Sequence, residues 1–259
     1  YKRHAMFSFH SLLSKHSRRV VGSSLLSVNP LLPEKMSEDL ARVDEMLEGY
    51  RGDDAYEALS KMERSADVEW RMANAIYIQS NYVDDTNERK KKLKEGLALA
   101  ESALTKDPSN AEAARNAAAL CGLLSELSGL MDRMKYGGRF KKFLDKTIEL
   151  LPEPDMTVLH MRGRFSYQVA SLSWIERKAA CDVIGAVPEM SFEDALKDLH
   201  AAEAIADTLD TLLYIGKSYL GKGDKEKAKE YFEKVVAGPV VDAVDAEYVD
   251  EAEKALEKI

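Results

Sequence analysis

From Ser37 to the C-terminus the chain reads as helix, because its apolar residues recur every three or four positions. Leu40, Val43, Met46 and Leu47 mark a first amphipathic stretch. Ser37 is the expected N-cap there, with Glu38 and Asp39 in the first turn, where exposed amides favour negative charge. Gly49 and Gly52 break that helix, and Asp53 or Asp54 is expected to cap the next, running to about Arg64. The most regular pattern is LLYIGKSYLGKGDKEKAKEYFEKVVAGP, residues 212–239. Ile215, Gly216, Tyr219, Gly223, Ala228 and Phe232 stand where two antiparallel helices need small residues at their crossing and large ones around it. Residues 242–259 predict a capping helix with a polar outer face.

The spacing of that pair is the tetratricopeptide (TPR) pattern, and sliding it upstream finds three further copies. Trp70, Ala73 and Tyr77 fit a first helix, with Gly96, Ala100, Ala103, Leu104 and Pro108 in its partner after about ten extra residues. Ala114, Ala117, Ala118 and Cys121, then Phe140, Leu144, Ile148 and Pro152, repeat this. Leu159 and Gly163, then Ala195, Leu199 and Ala202, make a third pair, with roughly twenty extra residues between. The expected fold is therefore all-α. It is a TPR-like superhelical array of antiparallel helix pairs with lengthened inter-helix insertions, read here as long first helices and bulky loops. Pro108, Pro152, Pro154 and Pro188 fall in connections, where proline is harmless.

The net charge of −8 over 259 residues is unevenly distributed. Residues 1–36 carry six basic residues against Glu34, which leaves −13 on residues 37–259. Residues 193–259 hold 17 acidic and 9 basic residues. An acidic folded part argues against nucleic acid as a partner and requires any anionic partner to meet local basic patches. Residues 1–36 form a separate basic segment. Its composition fits a mitochondrial targeting sequence, a disordered tail, or translated sequence upstream of Met36. No apolar run approaches the ~20 residues that span a bilayer, so no transmembrane anchor is expected. Cys121 and Cys181 read as reduced, mostly structural thiols on helices.

The departures from a plain TPR carry a more specific signal. Residues 70–75 (WRMANA), the basic run of residues 88–95 (ERKKKLKE), and the block GRFSYQV at residues 163–169 with LSWIERK at 172–178 resemble the regulator of microtubule dynamics family. So does the spacer ending at Pro188 before SFEDAL. The resemblance covers about residues 40–259. It implies an all-helical TPR-like domain, association with microtubules and spindles, no known catalysis and no cofactor. One vertebrate branch of the family is anchored in the mitochondrial outer membrane, tethers it to the endoplasmic reticulum and binds phospholipid. Without that anchor, the chain is expected to be a soluble cytoplasmic, cytoskeletal member, with mitochondrial association through residues 1–36 left open.

Two kinds of partner surface follow. Counting along each first helix places Arg71, Arg115, His160, Arg164, Tyr167, Gln168 and Lys217 on the concave groove. Arginine forks there would suit a carboxylate or phosphate, as in an acidic peptide or an anionic phospholipid. The alternative is that these are surface arginines paired with neighbouring acids. Ala75 stands where an asparagine carboxylate clamp would need Asn, which disfavours chaperone tails. Two outer clusters are the candidate microtubule contacts, since tubulin's surface and tails are strongly acidic. One is Arg89, Lys90, Lys91, Lys92 and Lys94. The other is Arg133, Lys135, Arg139, Lys141 and Lys142, around a Gly137-Gly138 turn with Tyr136 and Phe140 interleaved. Trp174 and Ile175 are expected in the core. No phosphate-binding loop, metal-ligand spacing or nucleophile–base pair is present in the sequence, so an enzyme is the poorest reading.

Overall fold

The computed structural model describes residues 34–240 and 243–259. Almost all of the basic segment 1–36, with its targeting-like reading, lies outside the described residues. Among the described residues there are twelve helices and no strand. They fall into two compact units, residues up to 151 and residues from 152. The first unit holds α1 (Glu34–Glu48), α2 (Gly52–Ser60), α3 (Ala66–Ser80), α4 (Thr86–Lys106), α5 (Ala111–Glu126) and α6 (Leu130–Leu150). The second holds α7 (Met156–Ala170), α8 (Trp174–Ile184), α9 (Phe192–Glu203), α10 (Leu209–Lys222), α11 (Lys225–Ala237) and α12 (Ala243–Leu256).

Side-chain caps set many of the boundaries. Ser65, Asp85, Asn110, Asp155, Ser191 and Asp224 each accept a backbone N–H of the first turn that has no partner within the helix. Two expected caps are corrected. α1 opens three residues before Ser37, through Lys35 and Met36, which cost a helix little. α2 starts at Gly52 after Arg51, with Asp53 and Asp54 in its first turn; residue 52 is glycine where a Cβ would lie 2.8 Å from the carbonyl oxygen of Ala75.

The pairs cross where the pattern put small residues. A Cβ at Gly96 would meet Ile76 at 2.9 Å, one at Gly163 would meet Leu199 at 2.6 Å, and one at Gly216 would meet the Phe232 ring at 2.7 Å. α3 packs on α4, α5 on α6, α7 on α9 and α10 on α11, and α12 covers α11 and α10. α1 and α2 add a pair that the pattern did not count as a repeat.

The extra residues are spent in helix rather than in loops. The second helices α4 and α6 are 21 residues each, against 15 and 16 for their first helices α3 and α5. The connections at 81–85 and 127–129 are short. Gly137 and Gly138 lie inside α6 instead of forming a turn. Phe140, Phe143, Leu144 and Thr147 bury one continuous face of that helix, which outweighs the roughly 1 kcal/mol that each interior glycine costs. The third insertion holds the separate helix α8 between α7 and α9.

Gly216 and Gly137 give opposite expectations for one substitution. Gly216→Ala drives a methyl into the fully buried Phe232 and should lower unfolding free energy by about 1–2 kcal/mol, overpacking exceeding the gain in helix propensity. Gly137→Ala meets nothing within 4 Å and should raise it by about 0.5–1 kcal/mol. Urea unfolding of the two variants checks both signs.

Candidate functional site

In the first unit, Arg71 lies on α3 with 1% of its surface exposed. Its Nε and one terminal nitrogen donate to the two carboxylate oxygens of Asp44 on α1, at 2.7 and 2.8 Å, and the other donates to the Asp67 carbonyl at 3.0 Å. The guanidinium also stacks 4.2 Å from the Trp70 ring. The fork expected to hold a ligand's carboxylate is filled by an internal one. Arg115, on α5, is half-buried with Glu112 at 3.6 Å.

In the second unit, Tyr214 of α10 gathers four of the predicted groove residues. Arg164 donates to its hydroxyl at 3.1 Å and lies 4.4 Å from its ring. His160 and Tyr167 meet the ring edge-on at 6.2 and 5.4 Å, and the Lys217 ammonium lies 4.6 Å from its centre. Lys217 also donates to Glu251 of α12 at 2.7 Å. Burial opposes the Lys217 charge, but Tyr214, Glu251 and Tyr167 outweigh it and raise the pKa. Burial likewise raises Tyr167 above the usual phenol range. Gln168 of α7 is half-buried.

The groove assignment is therefore corrected for three positions. Arg71, His160 and Arg164 are interior rather than open to a concave face; the two arginines, taken out of water, meet a carboxylate or a ring, and His160 meets the Thr211 hydroxyl. Asp44 and Glu251 lie 27 and 34 residues from the cations they serve, and Tyr214 lies 50 from Arg164, so spacing along one helix gave no sign of them.

The basic clusters lie on α4 and α6, which run in the same direction because each is antiparallel to the α5 between them. Arg139 of α6 donates to Glu101 of α4 at 2.5 Å and ties the two together. Residues 34–151 hold 19 basic and 23 acidic residues, and these two helices carry twelve of the basic and six of the acidic. On α4, Lys92 donates to Gln79 at 2.7 Å and Arg89 reaches Asn81 at 3.5 Å, both half-buried, as is Lys90. Lys91 and Lys94 are exposed. On α6, Lys135 and Lys142 are exposed, whereas Arg133 and Lys141 are half-buried. Lys135 has Asp132 at 3.6 Å, and Lys141 donates to Asp145 at 2.5 Å. Phe140 is buried, so of the two interleaved aromatics only Tyr136 reaches the surface, 5.8 Å from Arg139. A groove of about 750 Å³ opens between the end of α4 and α6. Leu104, Pro108 and Phe143 form its apolar lining, and Lys141, Lys142 and Lys146 stand along it.

One other expectation changes. Trp174 and Ile175 are 75% and 71% exposed instead of buried. A capping box between Ser173 and Glu176 starts α8 at Trp174, so both residues sit in its first turn, and Ala180 is the buried contact. His200 meets Glu203 at 2.8 Å and the Tyr219 hydroxyl at 3.0 Å, beside the Tyr231 ring. Cys121 is buried, which lifts its thiol to about 12, whereas Cys181 is exposed. Among the described residues no cluster of His, Cys, Asp or Glu could hold a metal ion. No described helix is long and apolar enough to cross a membrane.

His160 generates a pH expectation. It is fully buried, with Nδ1 2.8 Å from the Thr211 hydroxyl and Nε2 3.3 Å from Asp210. Burial, aided by Arg164 and opposed by Asp210, lowers its pKa from 6.5 to about 4. The unfolded chain then takes up a proton that the folded one refuses, so stability should fall as pH drops through 6.5 toward 4 and be unaffected above. Urea unfolding between pH 7.5 and 5 should show a smaller loss for His160→Asn than for wild type.

Known proteins agree with this architecture. The family model for regulator of microtubule dynamics protein 1-3 matches residues 39–259. Regulator of microtubule dynamics protein 1 of Caenorhabditis elegans is 35% identical over 226 residues, covering 85% of this chain and 99% of that protein. Protein 2 of Rattus norvegicus is 31% identical over 72% of this chain but only 46% of its own length. Protein 3 of Xenopus laevis is 31% identical, with 72% and 41% covered. A thermophilic TPR protein of Thermus thermophilus superposes with a TM-score of 0.55 at 14% identity, over 83% of this chain and 97% of its own, which shows the fold alone. The chain belongs to the regulator of microtubule dynamics protein 1-3 family.

Proposed function

We propose that this protein is a non-catalytic scaffold that attaches to microtubules through the basic faces of α4 and α6 and so influences microtubule and spindle dynamics. The observation that carries the reading is the concentration of charge. Twelve of the nineteen basic residues of the first unit lie on two neighbouring helices joined by Arg139 and Glu101, in a chain of net charge −8. An acidic polymer would meet Lys91, Lys94, Lys135 and Lys142, which the fold leaves exposed. The names of the curated relatives point the same way, and the nematode relative matches along almost its whole length. This reading places the protein at the cytoskeleton.

The alternative, an anionic headgroup or acidic peptide held in a basic groove, draws less support. Arg71 and Lys217 already hold an internal carboxylate, and Arg115 has one beside it. Of those positions, Lys217 with Tyr167 keeps some exposure, and a ligand there would have to displace Glu251.

Co-sedimentation with stabilised microtubules at low and physiological salt tests the main reading. Wild type should bind saturably and more weakly at higher salt, since exposed charges are screened over ~8 Å in physiological buffer. Reversing Lys91, Lys94 and Lys135 to Glu should weaken binding at least tenfold at low salt. Unchanged affinity would remove this face from the interaction.

A further inference from the structure

The groove between α4 and α6 combines two features that a plain basic patch lacks. Its lining is apolar, supplied by Leu104, Pro108 and Phe143 from two helices and the connection at 107–110. Its own cations are Lys141, Lys142 and Lys146. Beyond its lining Arg139, which donates to Glu101, and Lys135 continue the row of Lys146 and Lys142 at intervals of three and four residues, which on a helix is one stripe. That stripe is ~16 Å long at 1.5 Å per residue, the reach of about five residues of extended peptide. We propose that this groove seats an acidic peptide that carries an aromatic or large aliphatic side chain. The side chain lies on the apolar lining, and its carboxylates run along the lysine stripe. The proposal rests on the microtubule reading for its natural occupant, the acidic tails that project from tubulin.

The acids within the groove set how selective it is. Asp145 and Glu149 would repel an incoming carboxylate, but they are paired with Lys141 at 2.5 Å and Lys146 at 3.4 Å along the same helix. Such exposed pairs at intervals of three or four residues contribute little, so each lysine exchanges its helical partner for a peptide carboxylate at small cost. Lys142 has no carboxylate within 4.0 Å among the described residues and is exposed, so it offers a ready charge for the peptide. Electrostatics alone would then favour any polyanion equally. The apolar lining is what separates a peptide with a large side chain from bare polyglutamate.

The test uses the full chain and two fluorescein-labelled ten-residue peptides, one of glutamates with a central tyrosine and one with serine in its place. Fluorescence anisotropy should show the tyrosine peptide binding at least fivefold more tightly. Lys142→Glu with Lys146→Glu should weaken it at least tenfold, and Pro108→Asp should erase the difference between the peptides. All three positions reach the surface, and circular dichroism confirms that the variants fold. In parallel, wild type and the double lysine variant are sedimented with intact microtubules and with microtubules stripped of their tails by subtilisin. Loss of affinity for stripped microtubules, with the double variant equally weak on both, would support the groove as the tail site. Equal affinity for the two peptides, or an unaffected double variant, would overturn the groove even if wild type sediments with microtubules. Failure to sediment while the tyrosine peptide still binds selectively would overturn the microtubule reading and leave the groove supported.

Discussion

The close approach of paired helices at a residue without a side chain is the constraint on which this structure depends. At Gly216 the space a methyl would take is filled by the Phe232 ring, and at Gly163 by Leu199. Each crossing brings two backbones near enough for the flanking large residues to enclose them, and the repeat follows from doing this again along the chain. Once those distances are set, the faces that look inward are determined, and any charged residue on them must be satisfied within the protein.

That requirement explains why the cations on the first helices do not form an open basic groove. Arg71 occupies a position next to Trp70 that the array buries, and its guanidinium is satisfied there by both carboxylate oxygens of Asp44 and the carbonyl of Asp67. Lys217 keeps its charge against Glu251 and two aromatic rings. Removing one member of a buried pair such as Arg71–Asp44 typically costs about 3–5 kcal/mol, so these residues hold helices together before they hold anything else. The second helices α4 and α6 face outward and are free of that demand. Of their lysines, Lys91, Lys94, Lys135 and Lys142 are left to water.

The sequence made the helix pairs legible because their signal is local: small residues, a turn and a buried aromatic within about thirty positions. Ala195, Leu199 and Ala202 were found as the partner of Leu159 and Gly163 despite the twenty-residue insertion, since both ends kept the pattern. What could not be read depended on distant partners. Asp44 lies on a helix the repeat template did not include, and Tyr214 joins Arg164 and His160 across some fifty residues. Gly137-Gly138 read as a turn because glycine propensity is local, whereas the packing of Phe140, Phe143 and Leu144 that keeps α6 continuous is tertiary. Trp174 read as core because large aromatics usually are buried. The Ser173–Glu176 capping box, which sets it in an exposed first turn, is itself written in the sequence.

An acidic protein on an acidic polymer looks like an electrostatic contradiction, and the arrangement within the first unit resolves it. Net charge acts at long range, but in physiological salt a charge is felt over only ~8 Å. Lys94 and Lys142 each belong to a helix that holds six basic residues against three acidic. The remaining seventeen acids of residues 34–151 belong to α1, α2, α3, α5 and the connections. One of those acids, Glu69, pairs with Lys106 of α4 at 2.8 Å, but the excess of base over acid belongs to α4 and α6, so the rest of the unit opposes adhesion more than these two helices do. Charge segregation of this kind selects orientation as well as partner. A protein basic throughout would bind an acidic lattice in many poses, whereas one that is basic on two adjacent helices presents the same face each time.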